Sequence, residues 1–209
     1  MGCMDKLNRV DRVANSLTVD ELERRLPEID LIGDEQIAAD TARVFLQWCP
    51  DYFWEKRASK NHHAPDERGE YGNWLHTKRV FLEYNTVARS WTEQQLITAR
   101  EYHCGQAACL LHDMMRYGWP SENNYHSVNN HDRIMAEIIR QRSALPEPVA
   151  AACDSHMGSW GEGPLPQSNL EQLVHTADMV ASADHNDIGV FMPSEELQEL
   201  GVTEVDFDE

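Results

Sequence analysis

Between Asp34 and Cys49 the apolar residues Ile37, Ala38, Ala42, Phe45 and Trp48 recur every three or four positions, the spacing of one helix face. Pro50 should end or kink that helix. The same period predicts a helix from Trp74 to Ala88, where Leu75, Val80, Phe81 and Tyr84 are apolar. The stretch TVDELERRL, 18–26, opens on Thr18, suited to be an N-cap, with Glu21 at capping-box spacing. A long helix is expected from Thr92 to Tyr117, stopped by Gly118 and Pro120. Asn130 is a good N-cap for a helix from His131 to about Ser143. Pro146 and Pro148 open another, ending near His156 with Gly158 as its left-handed cap. A last major helix is expected from Asn169 to about Asp184. Strand-like alternation is weak and scattered, so the expected fold is all-α, a helical bundle.

The breaks between these elements are polar. SKNHHAPDERGEYGN (59–73), PSENNYHSVN and GSWGEGPLPQS read as loops, and PSEELQELGVTEVDFDE as one short helix with an acidic end. The expected organisation is an N-terminal helical extension over 1–33, a main domain over 34–190 and an acidic tail over 191–209. At 41% apolar residues the chain can bury a proper core. No apolar run is long enough to span a membrane. The opening MGCMDKLNRVDRV lacks a hydrophobic leader, and Lys6 stands where a myristoylation pattern wants Ser or Thr. Five cysteines at irregular spacing, with no C-x-x-C, fit reduced buried thiols and a cytoplasmic location.

Charge narrows the class of partner. The 36 acidic and 18 basic residues give a formal net charge of -18. Lys6, Lys56, Lys60 and Lys78 are the only lysines. An acidic, lysine-poor surface fits a protein kept soluble in concentrated salt, in a halophilic host or a virus of one. An ordinary acidic bacterial protein fits as well. The overall field repels phosphate, which argues against stable nucleic-acid binding but leaves room for one local cationic site.

Candidate chemistry begins at CLLHDMMRYGWP, 109–120. Two ionisable groups, His112 and Asp113, follow core leucines, where they are costly unless something pairs with them. Further histidines and a carboxylate border other apolar stretches: His76 after Trp74-Leu75, His131 before Ile134-Met135, His156 after Val149–Ala152, Asp178 after Leu173-Val174. Four histidines and two aspartates, one or two per helix, can converge inside a bundle. Such a nitrogen and oxygen set suits Mn, Fe, Co, Ni or Zn, and the lack of cysteine ligands argues against a structural zinc site. One aspartate can bridge two cations, and two ions about 3.5–4 Å apart activate a water for phosphoryl transfer. His126 competes with His131, and His175 shares a helix face with Asp178.

The order H…HD…H…H…D resembles the HD superfamily of metal-dependent phosphohydrolases in its six-ligand, two-metal form. The pieces are WLHT, LLHDMMRYG, NNHDRIMAEII, CDSHMGSW and HTADMV, over roughly residues 50 to 186. The segment DYFWEKRASKNHHAPDERGEYGNWLHT is similar to the region before the first ligand in bacterial HD-type 3′–5′ exoribonucleases and in phage and archaeal HD proteins, with the flavour (A/S)-x-K-x-H-H…G-G-L-x-x-H-(T/S). Ala58, Lys60, His62, His63, Gly72 and Thr77 match it, whereas Tyr71 replaces the first glycine and Asn73 the leucine. The exoribonucleases' separate nucleic-acid-binding domain has no counterpart here.

The resemblance implies metal-ligand roles for His76, His112, His131, His156 and Asp178, and a bridging, catalytic role for Asp113. Arg116 stands where the family has lysine in HD-x-x-K; it could hold a phosphate oxygen with two donors but cannot donate a proton. Lys60 and His63 are candidates for contacting substrate phosphate. The expected activity is hydrolysis of a phosphoester or phosphoanhydride in a nucleotide or short oligonucleotide, with a metal-bridging hydroxide attacking phosphorus. A one-metal nucleotide phosphatase or triphosphohydrolase using His76, His112, Asp113 and Asp178, an HD-type nuclease, and a non-catalytic nucleotide-binding protein remain alternatives.

Overall fold

The computed structural model describes residues 13, 15–120, 125–186, 188–190 and 192–193. Eight α-helices and no strands occur among them. They are α1 (Val19–Arg25), α2 (Glu35–Trp48), α3 (Tyr52–Glu55), α4 (Gly72–Glu93), α5 (Ala99–Leu111), α6 (His131–Arg142), α7 (Glu147–Ser155) and α8 (Asn169–Ala181). Short 3-10 turns lie at Pro27–Leu31, Pro65–Arg68 and Gly158–Trp160. The expected tail beyond Met192-Pro193 falls outside the described residues.

Helices α4, α5, α7 and α8 form the centre. α4 packs on α5 and α8, α5 also on α7 and α8, and α6 lies against α7. The first ten residues of α4, Gly72 to Phe81, are buried on every side, so this half of the helix is enclosed rather than amphipathic. Residues 104–115 are buried without a break for the same reason.

Local chemistry sets the helix starts. Asp34 caps α2 through hydrogen bonds from the Gln36 and Ile37 amides. Thr18 accepts from the Glu21 amide at the start of α1. α4 runs past its expected end at Ala88, and the long helix expected from Thr92 starts only at Ala99. α4 ends at Glu93, Gln95 takes a left-handed turn with φ 60°, and α5 starts afresh behind a complete capping box between Thr98 and Glu101. α5 also stops earlier than expected, at Leu111. The chain then tightens into three-residue turns, Met114 to Leu111 and Arg116 to Asp113, until Gly118 closes it at φ 75°. The last helix ends at Ala181 rather than near Asp184.

The segment before α4 is held by close approach. Tyr71 adopts φ 61° at the position where the resembling proteins carry glycine. At Gly72 a Cβ would lie 2.0 Å from the Glu67 carbonyl oxygen, so only glycine lets the Pro65–Arg68 turn sit on the helix start.

The N-terminal elements are knitted to the same core. Leu22, Leu26, Ile29 and Ile32 join the central apolar cluster. The Lys78 ammonium is fully buried and lies 2.8 and 2.7 Å from the two Glu28 oxygens. Arg25 spreads over the Trp54 and Trp74 rings, 5.1 and 5.5 Å from their centroids. Removing one member of a buried ion pair strands the other's charge. Lys78→Ala is therefore expected to cost about 3–5 kcal/mol in urea unfolding, whereas the paired change Lys78→Met with Glu28→Leu recovers most of it. Equal losses in the single and paired variants would contradict this.

Candidate metal centre

Three of the four histidines sit where a helix starts or stops. His112 is the C-cap of α5, His131 the first residue of α6 and His156 the C-cap of α7. In each, Nδ1 donates to the main-chain carbonyl three residues back: Cys109 at 2.8 Å, Val128 at 2.7 Å and Cys153 at 2.7 Å. That bond fixes the tautomer and turns the Nε2 lone pair the other way. His76 comes from the second turn of α4 and Asp178 from the third turn of α8.

All of these side chains meet at Asp113. Its Oδ1 lies 3.0 Å from His131 Nε2 and 3.6 Å from His156 Nε2. Its Oδ2 lies 3.7 Å from His112 Nε2 and 3.9 Å from His76 Nε2. Asp178 Oδ1 joins the second pair, 3.0 Å from His76 Nε2 and 3.9 Å from His112 Nε2. His76, His112, Asp113 and His156 are at most 1% exposed, and His131 and Asp178 are 3% and 4%. The six residues expected from the sequence thus lie within one cluster, and His126 is exposed on the loop before it.

The cluster carries a test of whether a metal ion fits. The Nε2 atoms of His112, His131 and His156 and the Oδ1 of Asp113 are buried and make no hydrogen bond. Buried polar atoms are almost always satisfied, so four orphans around one carboxylate need a partner that the described residues do not supply. Imidazole nitrogens and carboxylate oxygens at these separations suit a divalent cation. The residues fit.

The other expected site residues are placed differently from one another. Arg116 hydrogen-bonds through Nη1 to Asp113 Oδ2, at the edge of the cluster. Lys60 is exposed on the 56–64 loop, and among the described residues no hydrogen bond or ion pair ties it to the centre. His63, expected to face substrate, is buried, held at φ 84°, with Nδ1 2.8 Å from Glu67 Oε2 and its ring 4.4 Å from that of His76.

Glu67 is the residue that sequence reasoning missed. It is fully buried, with Oε2 3.2 Å from His76 Nδ1 and Oε1 accepting from Arg79 Nη1 at 2.8 Å. In sequence it belongs to PDERGE, a run that reads as solvated. The one available signal was the four-residue spacing from His63, which places both on one side of a turn. His175 also contributes, its Nδ1 2.5 Å from the His156 carbonyl.

Electrostatics follow from this packing. Burial pushes the Asp113 carboxyl up, but Arg116 and then His112 outweigh it and hold it well below the usual carboxylate range. Asp178 is depressed likewise, burial being overcome first by its bond to His76. Burial lowers His112 to about 4, so its ring is neutral and free to ligate at neutral pH. His63 is also lowered, by burial and then by the neighbouring His76.

Residues 76–183, more than half of the chain, match the sequence model of the HD domain. The chain belongs to the HD domain family. No curated protein and no solved structure matches it. The family is one of metal-dependent phosphohydrolases, and the all-helical fold and the His/Asp cluster described above agree with that membership. No helix among the described residues is long and apolar enough to cross a membrane. Among the described residues Cys49, Cys104, Cys109 and Cys153 are free, buried thiols, the last three within the matched HD domain.

A pH dependence follows. Burial raises the Glu67 carboxyl, but His76 and His63 more than offset it and hold it at about 2, below its ordinary 4.5. A carboxylate depressed in the folded state contributes stability in full above the ordinary value and loses it as pH falls through the folded one. Asp113 and Asp178 act in the same direction. The metal-stripped protein is expected to lose stability steadily from about pH 4.5 to about pH 2, followed by circular dichroism in urea. Stability that stays flat over that range would contradict the assignment.

Proposed function

We propose that this HD domain is a phosphohydrolase that cleaves a phosphoester or phosphoanhydride of a nucleotide or short oligonucleotide, with two divalent ions on opposite sides of Asp113. One observation carries the reading. The two oxygens of Asp113 face different histidine pairs, Oδ1 toward His131 and His156 and Oδ2 toward His76 and His112. A carboxylate that serves only one ion needs no such division. The second pair has Asp178 as its extra carboxylate, and the first has none among the described residues, so the two positions differ in charge.

When bound, divalent ions supply Lewis acidity at the phosphoryl oxygens and lower the pKa of a water between them. The chain's own part is to hold that arrangement rigid. The carbonyl bonds to Nδ1 fix the tautomer and aim of three imidazoles, so little reorganisation is needed as charge develops on phosphorus. Arg116, already seated on Asp113 Oδ2, presents a guanidinium beside that carboxylate and would grip a phosphate oxygen of the substrate. As a cation that does not deprotonate it binds and orients; it does not donate the proton to the leaving group. Lys60, on the loop that carries His63, would meet the substrate from the solvent side. The net charge of -18 favours a small phosphorylated substrate over a long nucleic acid.

The test is a panel of nucleotides, dinucleotides and a generic phosphodiester with added Mn²⁺. Wild type should turn over at least one member, and Asp113→Ala should lower its kcat/KM by at least about a thousandfold, roughly 4 kcal/mol of barrier. A metal-loaded wild type that hydrolyses nothing in the panel, or an Asp113→Ala variant that retains activity, would contradict the reading.

A further inference from the structure

Four imidazoles surround Asp113, and three of them rest on main-chain carbonyls. His76 is the exception. The carbonyl that would serve it, three residues back, is that of Asn73, which accepts from the Thr77 hydroxyl at 3.0 Å. His76 Nδ1 instead lies 3.2 Å from Glu67 Oε2 as an ion-pair contact, and it makes no hydrogen bond with any described group.

We propose that Glu67 is the positioning residue of His76, and that it tightens the ion held on the His76 side of Asp113. The proposal rests on the reading that this cluster binds divalent metal. A carboxylate behind an imidazole N–H feeds more electron density to the metal-facing nitrogen than an amide carbonyl does, and its negative charge is felt by the cation beyond the ring. Glu67 lies nine residues before the first residue matched to the family.

The carboxylate is held as a positioning group must be. Oε1 is bound by Arg79 Nη1 at 2.8 Å. The Arg79 guanidinium is fixed in turn by Asp66 at 2.9 and 2.5 Å and by the Ile188 carbonyl at 2.9 Å. The Glu67 main chain is pinned at its own carbonyl by the Ala58 amide at 3.0 Å and by the closeness of Gly72. On the other side Oε2 also meets His63 Nδ1 at 2.8 Å. One buried carboxylate oxygen therefore ties the 56–64 loop and a metal-facing histidine together.

The experiment is a Co²⁺ titration of the metal-stripped, full-length protein, read by calorimetry and by the visible ligand-field spectrum, for wild type and Glu67→Gln. Glutamine keeps the volume and can still accept from Nδ1–H, but it lacks the charge. The expected result is that one Co²⁺ site weakens about 10–100-fold and its absorption band changes, while the metal-free variant still folds but melts below wild type, having lost the charge that faces Arg79. If Glu67→Gln fails to fold, Glu67→Asp serves: it withdraws the carboxylate by one methylene and should weaken the same site at least about tenfold. Co²⁺ affinities within about threefold of wild type, with an unchanged spectrum, would overturn the proposal and leave the metal reading standing. A wild type that binds no Co²⁺ would overturn both.

Discussion

The structure depends on one electrostatic problem placed at the centre of a helical bundle. Asp113, 1% exposed, is surrounded by four imidazoles whose ring nitrogens approach its two oxygens from two sides, and Asp178 adds a second carboxylate to one of those sides. Among the described residues Arg116 alone directly offsets the Asp113 charge with a permanent cation, through a hydrogen bond to Oδ2. Buried charge without a partner is costly enough to unfold a domain, so the cluster makes physical sense as a cradle for something positive. The unbonded Nε2 atoms and Asp113 Oδ1 mark where that charge belongs.

The helices answer the geometric half of the problem. α5 and α7 both stop at a histidine of the cluster, His112 and His156, so the carbonyl-rich ends of two helices lie beside it, the end of a helix that favours cations. The same stops supply the unpaired carbonyls three residues back that fix each Nδ1. Helix termination, tautomer selection and ligand aim are here one event. His76 lies inside α4, where no carbonyl is spare, and a side chain from a preceding turn takes that role instead. This accounts for the burial of Glu67 and Arg79 in a segment whose composition is that of a surface loop.

Much of this was legible in the sequence because it is periodic or repeated. The helical spacing of Ile37 to Trp48 and the His112-Asp113 pair beside Leu110-Leu111 both announce themselves, and the four other ligands each border an apolar stretch. The break between α4 and α5 is legible in the sequence but displaced, expected between Ala88 and Thr92 and found at residues 94–98, because the Thr98–Glu101 capping box sets the start of α5. Glu67 was illegible. PDERGE is indistinguishable in composition from a solvated turn, and its burial is decided by contacts with Gly72, Arg79 and His76 that no local pattern encodes. The same holds for His63, whose loop composition suits substrate contact but whose Nδ1 the fold turns inward onto Glu67.

The central claim is that cations sit among these six side chains. Anomalous diffraction from crystals of the protein grown with Mn²⁺ tests it most directly. The account predicts strong anomalous peaks within coordination distance, roughly 2.0–2.4 Å, of Asp113 oxygens and of the Nε2 atoms of His76 and His112 on one side and His131 and His156 on the other. Peaks confined to the acidic surface, with the Asp113 cluster bare, would contradict it.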